Sequence, residues 1–330
     1  MPKLSFDIKT IFDINSGHEF NEKALEIFHW QAKNIPVYKE YISSMELKLE
    51  NINKIEEIPF LPIQFFKSRK VIEKGNAPET IFKSSGTTET GRSQHFVADL
   101  TLYQQSFTKG FELAYGEICN TCVIALLPSY LEQGDSSLIY MIDSLIEQSG
   151  HSKSAFYLNE KNMLLDTLSE LKKSNTKTVL IGVTYALLDF IEKQKIDFSD
   201  LIVMETGGMK GRRKEIVREE LHEILCTGFG VSKIHSEYGM TELLSQAYSL
   251  GNGVFKTPSW MKILTREISD PLSLCKENKT GGINVIDLAN ISSCCFISTQ
   301  DLGRTLGNHQ FEIIGRFDDS DTRGCNLMIS

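Results

Sequence analysis

Apolar and polar positions alternate along this chain with two different periods. Within Glu22–Tyr41, Leu25, Phe28, Ala32 and Ile35 recur at helical spacing until Pro36 interrupts the repeat. The Pro-punctuated run Ile58–Ile63 predicts a buried extended segment instead. Asp99 is placed to cap a helix reaching about Tyr115, with Leu102, Phe107, Phe111 and Leu113 among its apolar residues. Beyond it, Cys122–Leu127, Thr178–Val183 and Leu201–Met204 are short apolar runs of the kind found in buried parallel strands. Amphipathic stretches over Ser136–Gln148, Asn162–Lys173, Thr184–Gln194 and Arg212–Leu225 predict the helices between and after them.

After about residue 250 helical periodicity fades. Gly282–Ile286, Cys295–Ser298 and Phe311–Ile314 read as short strands separated by glycine-containing turns, an antiparallel or barrel-like arrangement. The predicted fold class is α/β: layered, mostly parallel sheets covered by helices, with a smaller β-rich subdomain toward the C-terminus. The expected organisation is one compact unit made of a mainly helical lead-in (1–80), an α/β nucleotide-binding body (81–250) and a β-rich subdomain ending in a mobile, cysteine-containing tail (251–330).

Composition narrows the function classes. The chain has 330 residues, 41% hydrophobic and 24% charged, enough for a sizeable core. A net charge of −8 gives no global field for nucleic acid. No apolar run is long enough to span a membrane, and the start lacks an apolar segment of signal-peptide length. The seven scattered cysteines are an odd number, which favours reduced thiols and a cytoplasmic setting. Cys119-x-x-Cys122 has metal spacing but no second matching pair, and Cys294-Cys295 opens a strand, where buried cysteine is common.

Three polar stretches carry candidate chemistry. Lys83-Ser84-Ser85-Gly86-Thr87-Thr88 runs on to Arg92 between apolar flanks; glycines and hydroxyls there suit either a polar hairpin loop or a cradle for phosphates. Thr206-Gly207-Gly208 follows a predicted parallel strand, where two glycines let a flat ring approach the backbone. The basic run Lys210 to Lys214 comes next, either a solvated helix start or an anion site. Ser236-Glu237-Tyr238-Gly239-Met240-Thr241-Glu242 offers an aromatic ring for a base, a hydroxyl for a phosphate and a carboxylate for a metal ion. His95 and His235 stand beside these stretches, either as substrate or phosphate contacts or as satisfied buried rings.

Taken in order, Ser84–Thr88, Tyr238–Glu242, Thr299-Gln300-Asp301 and Gly315–Asp319 resemble the motifs of the adenylate-forming superfamily. Glu205–Arg212 and the ending Asp321-Thr322-Arg323-Gly324-Cys325 resemble its acyl-protein synthetase (LuxE-type) subgroup. The resemblance implies ATP-dependent activation of a carboxylic, fatty-class acid to acyl-AMP and pyrophosphate, with Mg²⁺. The acyl group then passes to Cys325 and on to an acyl-accepting protein: a reductase, a transferase or a carrier. By the same resemblance Ser84, Ser85, Gly86, Thr87 and Thr88 hold the leaving phosphates. Gly207 and Gly208 flank the adenine, with Tyr238 against its face. Thr241 bonds the α-phosphate, Glu242 holds Mg²⁺, Asp301 takes the ribose hydroxyls, and Arg316 bonds ribose or phosphate. Leu127–Tyr130 and Val183–Tyr185 are the expected walls of the acyl pocket.

Two departures from the superfamily pattern stand out. Glu89 occupies a position usually held by glycine, and the usual C-terminal domain with its lysine does not follow, for which Lys210 and Arg212 are substitutes in the phosphate or substrate region. Arg323 beside Cys325 favours a thiolate on a tail that can reach an acyl-AMP. The alternatives are transfer to coenzyme A or a carrier-protein thiol with Cys325 idle, and a non-catalytic nucleotide- or acyl-binding subunit.

Overall fold

The structure, a computed structural model, describes residues 4–85, 91–128, 134–192, 194–207 and 216–317. Ser16 accepts from the Glu19 N–H and starts helix α1 (Gly17–Asn34); Pro36, at the first helical position where it lacks no bond, opens α2 (Pro36–Ser43). There follow β1 (Leu61–Pro62), the single turn α3 (Phe65–Ser68), the hairpin strands β2 (Thr80–Lys83) and β3 (Gln94–Val97), and α4 (Leu100–Tyr115), where the Asp99 carboxylate accepts from the Thr101 N–H at 2.8 Å. The middle of the chain alternates β4 (Cys122–Leu126), α5 (Ser137–Ser149), β5 (Ala155–Phe156), α6 (Lys161–Lys173), β6 (Thr178–Val183), α7 (Thr184–Ile191), β7 (Ile202–Thr206), α8 (Arg218–Phe229) and β8 (His235–Tyr238). Strands β9 (Ala247–Ser249), β10 (Val254–Lys256), β11 (Met261–Arg266), β12 (Gly281–Asp287), β13 (Phe296–Gly307) and β14 (Gln310–Arg316) complete it.

These elements group into two compact units interleaved in sequence. One takes the described residues of 1–106, 241–245 and 256–330; the other takes those of 107–240 and 246–255. In the second unit β5, β4, β6, β7 and β8 lie parallel in that order, and β9 runs antiparallel on β8. Every residue of β4 and β6 is buried, which is why both read as unbroken apolar runs. Helix α5 packs on β4, and α7 packs on β6 and β7. The carboxyl ends of β7 and β8 therefore present Thr206-Gly207 and Tyr238-Gly239 side by side.

In the first unit β11, β12, β13 and β14 form an antiparallel meander, with β1 added in parallel to β13. Phe28, Tyr38 and Phe60 surround Phe296 with ring centroids 6.0–6.2 Å apart. Gln31 of α1 is fully buried. Its amide donates to the Ile291 carbonyl at 2.6 Å and accepts from the Cys295 N–H at 3.0 Å, so α1 fixes the turn between β12 and β13.

Two local expectations are corrected. The helix expected over Arg212–Leu225 is α8, which starts at Arg218 after an extended Val217 and carries Glu219 and Glu220 in its first turn, where acids complement the helix dipole; Lys210 to Lys214 lie outside the described residues. Thr184 is the first helical residue of α7 rather than its cap, and its hydroxyl donates to Glu205 at 3.3 Å. No helix among the described residues is long and apolar enough to cross a membrane.

Candidate functional site

The hairpin β2–β3 closes below the Ser/Thr loop through main-chain and hydroxyl bonds. Ser84 N–H donates to the Ser93 carbonyl at 3.1 Å, and Ser93 N–H donates back to Ser84 Oγ at 2.9 Å. The Arg92 guanidinium donates to the Ser84 carbonyl, which occupies the cation at the base of the loop. Ser85 is exposed beyond it. Gly86, Thr87 and Thr88 lie outside the described residues, as do Gly208, Lys210, Arg212, Cys325 and the wall residues Ser129 and Tyr130.

Glu242 is buried, and the Ser93 hydroxyl at the base of the loop hydrogen-bonds its carboxylate. Burial pushes its pKa above the usual carboxylate range. Ser93, a main-chain N–H, Arg316 and Lys67 oppose that shift only in part. Thr241 beside it is half-buried. The same unit holds Asp301 and Arg316 opposite each other in the β13–β14 register, with Arg316 Nε 3.1 Å from Asp301 Oδ1. The aspartate side chain is 11% exposed and the arginine 71%, so one member is fixed and the other reaches solvent.

His95 on β3 is fully buried. Its Nδ1 lies 2.8 Å from the Thr241 carbonyl and its Nε2 lies 2.9 Å from Asn290 Oδ1. Both nitrogens face oxygens, so a neutral ring donates to one of them at a time. Burial nevertheless drives its pKa down to about 4, the hydrogen bonds to Thr241 and Asn290 opposing it. Its nitrogens meet main chain and an amide, and Phe66 stands edge-on to the ring at 5.7 Å. Asn290 and Asp287 were not singled out from sequence. The signal was present as Asp287-Leu288-Ala289-Asn290, polar residues set in an otherwise apolar run.

Within the second unit, candidate residues lie at the ends of β7 and β8. Gly207 follows β7 with φ +66°, a left-handed turn that glycine adopts without strain. Tyr238 is buried and meets Phe255 edge-to-face at 5.9 Å, while the Arg218 guanidinium lies 5.3 Å from that same Phe255 ring. Two acids unused in the sequence reading sit on these strands. Glu205 is buried; burial raises its pKa, but His222, Ser236 and Arg218 more than offset that and hold it low. Glu237, half-buried, is pushed up to about 7 by burial and by Glu205, although Thr206 Oγ1 donates to it at 2.6 Å. A Cβ at position 239 would meet the Glu237 carboxylate, so any larger residue there displaces that carboxylate from Thr206. His235 is buried against Tyr115, whose hydroxyl is 3.2 Å from Nδ1, and burial with the nearby Lys233 lowers its pKa to about 4. Cys122 is buried in β4 and Cys119 is exposed.

Among solved structures, ATP-bound MatB from Rhodopseudomonas palustris superposes with TM-score 0.54 and 15% identity over 72% of this chain and 47% of that one. An open conformation of 2-hydroxyisobutyryl-CoA ligase, in complex with 2-HIB-AMP and CoA, gives TM-score 0.66 and 10% identity over 92% of this chain and 70% of that one. The luciferase-like enzyme of the nonluminescent mealworm Zophobas morio gives TM-score 0.53 and 15% identity over 76% and 60%. At these identities the likeness is one of fold, and the chain spans about half the length of MatB (47%). No curated protein matches the chain significantly. The family profile "Acyl-protein synthetase, LuxE" matches residues 15–330. The chain therefore belongs to the LuxE acyl-protein synthetase family, and its fold is the one shared by these solved structures.

Proposed function

We propose that this chain activates a fatty-class carboxylic acid with ATP, takes the acyl group onto Cys325, and hands it to a partner protein. In the first step a carboxylate oxygen attacks the α-phosphorus, the bond to the β-phosphate bridge breaks, and pyrophosphate leaves. The carboxylate is already a nucleophile at neutral pH, so no general base is required. In the second step the Cys325 thiolate attacks the acyl carbon and AMP leaves with the carbonyl–oxygen bond electrons. A partner thiol or other nucleophile then accepts the acyl group. A cytoplasmic setting, which keeps Cys325 reduced, goes with this reading.

The observation that carries it is Glu242. Its carboxylate is buried, disfavoured as an anion by that burial, and hydrogen-bonded by Ser93 at the foot of the Ser/Thr loop. A buried carboxylate with the Ser93 hydroxyl on it fits Mg²⁺, which takes hard oxygen ligands, commonly one or two carboxylates plus substrate phosphates. When bound, the ion supplies positive charge against the phosphates. Ser84, Ser85, Gly86, Thr87 and Thr88 bind the leaving phosphates, and Thr241 donates to the α-phosphate. Asp301 accepts from the ribose hydroxyls while Arg316, anchored on Asp301, donates toward ribose or phosphate. Gly207, Gly208 and Tyr238 take the adenine, and Lys210 or Arg212 meets the phosphates or the acid.

Intact mass after incubation with Mg-ATP and free fatty acids tests both steps. A hydroxylamine-labile acyl increment on wild type, absent from Cys325→Ala, is expected. Pyrophosphate exchange with no increment on either protein would favour direct transfer to coenzyme A or a carrier thiol. ATP binding without exchange would favour a non-catalytic binding subunit.

A further inference from the structure

The segment Thr241–Ser245 carries the two side chains on which the proposed adenylation turns, yet it has no regular secondary structure to hold it. Its main chain is held instead by buried side chains from two other places in the same unit. His95 Nδ1 meets the Thr241 carbonyl at 2.8 Å. Asn290 Nδ2 donates to the Glu242 carbonyl at 2.7 Å. Asp287 Oδ2 accepts from the N–H groups of Leu244 and Ser245 at 2.8 and 3.0 Å, and Asp287 Oδ1 accepts from the Ser245 hydroxyl at 2.5 Å. The three side chains are fully buried.

The holders are themselves fixed. Asn290 Oδ1 faces His95 Nε2 at 2.9 Å, and Asp287 Oδ1 caps the short turn of Asn290 by accepting from the Ala289 N–H at 3.2 Å. Gln31 of α1 grips that turn at Ile291 and Cys295. Ser245 is braced on its far side by Trp260 Nε1, which donates to its hydroxyl at 3.0 Å. Deeply buried polar groups of this kind are worth retaining only if fully paired, and a paired set fixes geometry more sharply than apolar packing does.

We propose that His95, Asp287 and Asn290 are positioning residues for adenylation: a buried polar clamp that fixes the main chain of Thr241–Ser245 and so aims the Thr241 hydroxyl and the Glu242 carboxylate. The inference rests on the function proposed for those two side chains. A misplacement of about 1 Å at reacting groups can lower a rate about 100-fold while leaving substrate affinity largely intact. The clamp touches no substrate, so its loss is read in turnover rather than in binding.

The test compares wild type, Asn290→Asp and Cys294→Ala. The aspartate keeps the size of Asn290 but cannot donate to the Glu242 carbonyl. Cys294 lies in the same buried turn, with its thiol on the Phe296 carbonyl and no bond to the clamp, so its variant reports general loosening. In ATP–pyrophosphate exchange, Asn290→Asp is expected to lower kcat about 10- to 100-fold with KM for ATP and acid within about three-fold. Cys294→Ala is expected to stay within about two-fold in kcat. Amide hydrogen exchange of the peptide covering 241–245 is expected to speed up in Asn290→Asp alone. A folded Asn290→Asp with wild-type kcat, or a loss shared equally by Cys294→Ala, overturns the clamp. If wild type catalyses no exchange with any acid, the proposed function fails instead. Hydrogen exchange then decides the clamp alone: unchanged protection of 241–245 in Asn290→Asp sinks it, and selective loss of protection upholds it.

Discussion

Two regions of this molecule bury acidic side chains near candidate nucleotide-binding residues, and they do so in opposite ways. Around Thr241–Ser245 the polar groups are paired in advance: carbonyls with His95 and Asn290, amides with Asp287, and the Glu242 carboxylate with Ser93. At the ends of β7 and β8, burial above all, with Glu205 adding to it, raises the pKa of Glu237 against the Thr206 hydrogen bond, and Gln246 Oε1 is buried with no hydrogen-bond partner among the described residues. The first region is preorganised. The second leaves one buried acid, Glu237, raised despite its Thr206 hydrogen bond, and one buried amide oxygen unpaired among the described residues. Preorganised dipoles are what a charge-developing step needs, whereas a site that only binds a base can gain its last pairings from the ligand.

Removing the Glu242 charge should break the contrast most strongly. Glu242→Gln is nearly isosteric and relieves a buried anion, so its thermal stability is expected to equal or exceed wild type. Its pyrophosphate-exchange kcat is expected to fall at least about 100-fold, as for loss of a principal charge-stabilising group. Equal kcat in the two proteins would remove Glu242 from the reaction.

The histidines sharpen the comparison through pH. His95 in one region and His235 in the other are both held at about 4, against an ordinary value of 6.5. The folded state thus refuses protons that the unfolded chain accepts. Stability from each ring is complete above pH 6.5 and falls as pH drops toward 4, by about 3 kcal/mol per ring over the full window. Denaturant titrations of His235→Phe between pH 7 and 4.5 should show a pH slope shallower by one proton than wild type. His95→Gln should do the same, and an unchanged slope in either variant would mean that ring does not resist protonation.

Glu237 acts in the other direction. Its pKa, raised from 4.5 to about 7, makes its contribution present below pH 4.5 and lost as pH rises through 7. Glu237→Gln is therefore expected to leave stability unchanged near pH 4.5 and to raise it by about 2 kcal/mol at pH 8, the full shift being reduced because the side chain is only half-buried. A gain that is equal at both pH values would show that repacking, not ionisation, is responsible.

Much of this was legible in the chain. The unbroken apolar runs at Cys122 and Thr178 announced β4 and β6 because a strand buried on both faces has no polar side to alternate. Thr241 and Glu242 stood out as a hydroxyl beside a carboxylate in a stretch that resembles an adenylate-forming motif, and their roles are part of the proposal above. Their supports were hidden. Asn290 lies 48 residues from Glu242 and His95 lies 146 residues from Thr241 along the chain, and no local period encodes a hydrogen bond at that separation. Strand β11 escaped notice for a related reason: its buried–half-buried alternation ends on Arg266, a charged residue that is nonetheless buried. Its guanidinium is satisfied by the Ile283 and Thr299 carbonyls and by Asn284 of neighbouring strands. A sequence rule that sends arginine to solvent cannot see carbonyls supplied by β12 and β13.

The smallest expected effect concerns the pair at the β13–β14 edge. Arg316 is mostly exposed, and an exposed ion pair contributes little to stability, so Arg316→Ala should alter the unfolding free energy by less than about 1 kcal/mol. Function should respond more than stability. Asp301 is nearly buried on its strand while Arg316 is mostly exposed, and a guanidinium that donates to ribose or phosphate raises affinity without needing to be aimed by the clamp. Loss of this contact is expected to raise KM for ATP about 10-fold with kcat changed less than about three-fold, the reverse of the pattern expected when the Thr241–Ser245 segment is disturbed. A fall in kcat at constant KM in Arg316→Ala would move this arginine from binding into the charge-stabilising set. The division between a preorganised reacting segment and adaptable binding residues would then have to be redrawn around the β13–β14 edge.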